Sequence, residues 1–73
     1  MRLLDALCKQ GFDVDVADSG PEYSYVVFHD PHDARLFAGN LLAWGIPRRY
    51  ENNMINAKVS FKTTYLHRIL ELM

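Results

Sequence analysis

"HDPHDARLFAGNLLAWG", residues 29–45, decides the fold, because it reads as a helix with both ends written into it. Asp30 can accept from the first free backbone N–H groups, and Pro31 sits where a missing N–H costs nothing. Asp33 complements the positive end of the helix, and Gly45 stands where the chain must leave it. Phe37, Leu41 and Trp44, with Ala34, Ala38 and Leu42, make a broad apolar face, while Arg35 and Asn40 are expected outward.

On the N-terminal side of this helix the period changes from that of a helix to that of a strand. In "FDVDVA", Phe12, Val14 and Val16 alternate with Asp13 and Asp15, as in a half-buried strand with an acidic outer face. "DSGPE" supplies turn formers, and "YSYVVFH" after it is aromatic and β-branched, so residues 12–17 and 23–29 are predicted to pair as a hairpin. The second strand is apolar on both faces and is expected to be central or covered on its second side. Before it, Leu3, Leu4, Leu7 and Cys8 recur at helical spacing up to Gly11, which predicts a helix over 2–10.

The C-terminal side repeats the pattern. "PRRYE" is held extended by Pro47, Asn52 and Asn53 are suited to the positive backbone angles of a tight turn, and "MINAKVSF" alternates. Ile55, Ala57, Val59 and Phe61 are expected inward, with Asn56, Lys58 and Ser60 outward. Two threonines then introduce "YLHRILELM", whose Tyr65, Leu66, Ile69 and Leu70 predict a last helix. The expected architecture is a single α+β domain over residues 1–73, order αββαββα, with an antiparallel sheet of two hairpins covered by short helices. The order of strands across the sheet does not follow from the pattern.

Seventy-three residues allow one small core, with which a deep substrate cavity would compete. A single cysteine, Cys8, permits no internal disulfide and fits a reducing, cytoplasmic setting. The opening stretch lacks a signal peptide's cleavage site, no run is long enough to span a membrane, and the chain is expected to be complete from its own Met1. The net charge of −1 conceals an imbalance. Residues 1–33 carry two basic side chains against seven acidic ones, a balance of −5, and residues 34–73 carry six against two, a balance of +4. Folding can either cancel this by pairing the halves or display it as an interaction surface.

Chemistry-bearing patterns are few. His29, Asp30, His32 and Asp33 form the one cluster of metal-ligand types, but their spacing matches no closed site and the helix start already employs them. Nothing sets Cys8 or a serine beside a histidine and an orienting acid, and the four glycines are scattered singly. No cofactor, metal or enzymatic activity is expected. Arg48, Arg49, Lys58, Lys62 and Arg68 with Tyr50 can track a nucleic-acid backbone, although the acidic half would oppose phosphates. A larger protein partner is the leading expectation, with Arg48, Arg49, Tyr50, Asn52, Asn53, Trp44 and Lys58 as contact residues. The overall profile suits a small non-catalytic modulator of the phage takeover type that occupies a surface of host RNA polymerase. The alternatives are a nucleic-acid-binding regulator or an inhibitor of another nucleic-acid machine, such as CRISPR interference. Replacement of both arginines is expected to weaken binding and spare stability.

Overall fold

The computed structural model describes residues 2–73; Met1, on which the expectation of a complete chain rests, lies outside them. The elements are α1 (Arg2–Lys9), β1 (Val14–Ser19), β2 (Tyr23–Phe28), α2 (Pro31–Ala43), β3 (Arg48–Asn52), β4 (Ala57–Lys62), a 3-10 turn (Thr63–Tyr65) and α3 (Leu66–Leu72). This is the α+β domain of order αββαββα that the alternating patterns predict.

The four strands form one antiparallel sheet in the order β1-β2-β4-β3. The two hairpins therefore stand side by side and meet through their second strands, with Val26 opposite Val59 at the centre. α2 carries the chain from β2 past the position of β4 to the far edge, so β2 and β3 run parallel with β4 between them.

Alternation along β2 and β4 turns Ser24, Val26, Phe28, Ala57, Val59 and Phe61 toward the helices, where all are buried. Leu3 and Leu7 of α1, Ala34, Phe37, Ala38 and Leu41 of α2, Ile46 and Ile69 of α3 complete the core. Phe12, Phe28 and Phe37 meet edge-on or tilted, with ring centroids 5.6–6.3 Å apart. Each large buried side chain contributes about 1.5–3 kcal/mol by leaving water. That burial holds helices of seven and eight residues, which are too short to persist alone.

Both N-terminal helices end in the same way. Gly11 and Gly45 take positive φ (91° and 73°). After each, the next residue's N–H reaches back to a buried leucine: Phe12 to the Leu7 carbonyl at 3.1 Å, and Ile46 to the Leu41 carbonyl at 2.8 Å. This is the Schellman arrangement, which satisfies the last carbonyls and aims an apolar residue into the core. At the other end of α2, Asp30 Oδ1 accepts from the His32 N–H at 2.9 Å, as an N-cap does.

Several details depart from the sequence pattern. β1 begins at Val14 and carries a register shift between Val14 and Val16, so the extra Asp15 moves Val16 to the open side and Ala17 to the core side. Leu42, expected on the buried face of α2, is 64% exposed. The second hairpin turns over Asn53–Asn56, two residues later than the Asn52-Asn53 pair suggests. Asn53 Oδ1 accepts from the N–H groups of Ile55 (2.8 Å) and Asn56 (2.9 Å), which closes the loop with no positive φ and leaves Ile55 86% exposed. The threonines do not cap α3. Instead the Thr63 hydroxyl donates to the Gly20 carbonyl and meets the buried Ser24 hydroxyl, which also meets Ser19. That chain of hydroxyls ties the first hairpin's turn to the end of β4.

Candidate sheet-face binding surface

All three helices lie on one side of the sheet, so the other side is uncovered. Its occupants follow from the register. Tyr23, Tyr25 and Val27 come from β2, Lys58, Ser60 and Lys62 from β4, Arg49 and Glu51 from β3, and Val16 and Asp18 from β1. The β2, β4 and β3 part of this face is concave, a shallow cavity of about 620 Å³ that also borders Pro47 and Arg48. Lys62 stands directly opposite Tyr23. Lys58 Nζ lies 4.8 Å from the Tyr25 ring centroid, a cation–π contact made on the diagonal between neighbouring strands. Arg49 Nε is 3.4 Å from Glu51 Oε1 in an exposed pair, which holds little energy.

The residues singled out from sequence separate into different places. Arg49 and Lys58 stand on the uncovered face. Arg48, one position along the edge strand, projects the other way, and its Nε donates to the Ala38 carbonyl of α2 at 3.0 Å. Tyr50 also turns toward the helices, half-buried, with its hydroxyl buried and unpartnered by any hydrogen bond. Trp44 caps the far end of α2 beside Phe12 and Phe37, and its carbonyl accepts from Arg68 Nη2 at 3.2 Å. Asn52 and Asn53 belong to the exposed hairpin end, where Asn53 is spent on shaping the turn. Reading three neighbouring residues as one contact group overlooked the two-residue period of a strand, which divides them between the two faces.

Tyr23 and Tyr25 were not among the residues singled out, and Lys62 was named only as one of the cations that can track a nucleic-acid backbone. The signal was present in "YSYVVF", whose second apolar face requires either a cover or a use, but only the placement of the helices shows that nothing among the described residues covers it.

The charge imbalance survives folding. Among the described residues the one pair of fully charged side chains is Arg49–Glu51; His29 lies 3.7 Å from Asp15 and His67 2.9 Å from Glu71, and none of these contacts joins residues 1–33 to residues 34–73. Asp15 and Asp18 mark the β1 edge, and just before that strand the Asp13 N–H donates to Asp33 Oδ2 at 3.0 Å. Arg48 and Arg49 mark the β3 edge. The sheet order places these edges at opposite ends of the domain. Arg68 donates to the carbonyl of Trp44, the C-cap of α2, which has no basic residue of its own in its last turn, so a cation from α3 complements that end of the helix, while Arg48 donates to the mid-helix carbonyl of Ala38.

Cys8 is exposed, and among the described residues no three side chains of the His, Cys, Asp and Glu types converge as metal ligands. No helix of the described residues is long and apolar enough to cross a membrane. Comparison of the chain with family models, curated proteins and solved structures finds no match.

Proposed function

We propose that this domain is a non-catalytic modulator that lays its uncovered sheet face on an anionic surface of a larger nucleic-acid machine, with RNA polymerase as the first target to test. The observation that carries the reading is the composition of the concave face: Arg49, Lys58 and Lys62 around two tyrosines, with Glu51 as the opposing charge. In a chain of net charge −1 this is a local concentration of positive potential on an otherwise mixed surface. Tyrosine and arginine are the residue types that anchor interfaces, and the lysines set the encounter rate and orientation. The acidic β1 edge supports the same reading, because a two-signed surface fixes how the domain lands and disfavours the reverse orientation. The setting that goes with this function is the cytoplasm, where an exposed thiol such as Cys8 stays reduced.

The test is a transcription titration with purified bacterial RNA polymerase. The wild-type domain is expected to change transcript yield in a saturable way. The charge reversal Lys58→Glu/Lys62→Glu is expected to abolish that effect, and Arg35→Ala on the outer side of α2 to preserve it. Equal potency of the charge-reversed protein, or no effect of the wild type at saturating concentration, overturns the proposal.

A further inference from the structure

We infer that the ligand of the uncovered sheet face is single-stranded nucleic acid, whose bases stack on Tyr23 and Tyr25 while Lys58, Lys62 and Arg49 follow its phosphates. The inference rests on the reading of this face as the binding surface and names the anionic partner it meets.

The two tyrosines occupy alternate positions of a central strand, so their side chains leave the same face about 7 Å apart, twice the rise per residue. Tyr23 is 56% exposed. Each ring has its own cation on the neighbouring central strand: Lys62 in register with Tyr23, and the Lys58 ammonium 4.8 Å from the Tyr25 ring. Arg49 lies one strand further out, opposite Ser60. Lys58 itself is in register with Val27 and reaches Tyr25 on the diagonal, so two rings and two ammonium groups share one face, a combination that suits a polymer offering planar bases and phosphates. An acidic peptide would use the lysines and leave the exposed Tyr23 ring idle. A duplex is a poor fit because its bases are already stacked on one another, and stacking on protein rings requires unpaired ones. The acidic residues set the boundaries. Asp18 flanks Tyr25 on β1, and Glu51 stands opposite Lys58 on β3 in an exposed pair with Arg49, so the path runs between them along β2 and β4, toward Lys62. Ser60 lies on that path in register with Tyr25 and offers a hydroxyl to the strand.

Three phosphate-tracking cations give modest, salt-sensitive binding: log K is expected to fall with log salt at a slope of about −2. The experiment is fluorescence anisotropy with labelled oligothymidine and oligouridine 12-mers, a duplex of the same length, and an oligoglutamate peptide. Saturable binding of the single strands is expected, with little binding of the duplex or the peptide. Tyr23→Ala is expected to weaken it about 5- to 100-fold. Tyr25→Leu, which keeps the buried apolar area and removes the ring, serves in place of an alanine at the half-buried position and is expected to act in the same direction. Unchanged affinity in both tyrosine variants, or duplex binding as tight as single-strand binding, overturns the inference. Preference for oligoglutamate overturns it while leaving the modulator reading in place. Failure of every anion to bind, together with a silent transcription assay, overturns both.

Discussion

At the scale of the residue, Arg48 and Arg49 show how much a strand's period decides. They are adjacent in sequence and identical in chemistry, yet one is part of the scaffold and the other faces the open surface. The Arg48 guanidinium supplies a hydrogen bond to the Ala38 carbonyl of α2. Arg49 makes one exposed ion pair with Glu51. From the sequence, their joint replacement is expected to spare stability; the Arg48 bond gives the opposite expectation. Arg48→Ala is expected to cost about 0.5–1.5 kcal/mol in a urea titration, and Arg49→Ala to stay within about 0.5 kcal/mol of wild type. Equal stabilities for the two variants would show that the Arg48 bond contributes nothing. Tyr50 teaches the same lesson: it sits in a row of apparent contact residues, but its ring belongs to the core side and its hydroxyl is sealed from solvent.

At the scale of the element, the helix ends were the most legible part of the chain. Asp30, Pro31 and Gly45 each act through backbone chemistry within a few residues, so local sequence suffices to read them. Two glycines of α2 and its exit separate the reasons a protein keeps that residue. Gly45 has φ +73°, which a side chain resists, and Gly39 lies within the helix with nothing inside 4 Å of where a Cβ would stand. Gly45→Ala is expected to destabilise by about 1–2 kcal/mol, and Gly39→Ala to stabilise by about 0.4–1 kcal/mol. Thermal melting checks both, and the same sign for the two changes would contradict the assigned backbone geometry. The strands were legible in number and pairing and less so in face. A single bulged residue, Asp15, exchanges the roles of Val16 and Ala17, and a side-chain turn at Asn53 leaves Ile55 in solvent where alternation suggests a buried position. Neither event changes composition, so pattern alone does not disclose them.

At the scale of the whole molecule, what the sequence withheld was the order of the strands, and the candidate surface depends on that order. With β2 and β4 in the middle, the tyrosines of one hairpin meet the lysines of the other. The same order puts the carboxylates of β1 and the arginines of β3 at opposite edges, and no ion pair among the described residues joins residues 1–33 to residues 34–73. The charge asymmetry was visible from counting; its persistence in space was not, because that is a property of long-range pairing. Helices on one side alone leave the other side of the sheet free to act.

The central claim is that binding occurs on that free side. Backbone amide chemical-shift mapping during titration with an oligothymidine 12-mer tests it most directly. The account predicts that the largest shifts fall on Tyr23, Tyr25, Lys58, Ser60 and Lys62, with α2 unmoved. Shifts concentrated on the outer side of α2 around Leu36 and Leu42, or none at saturating oligonucleotide, would contradict it.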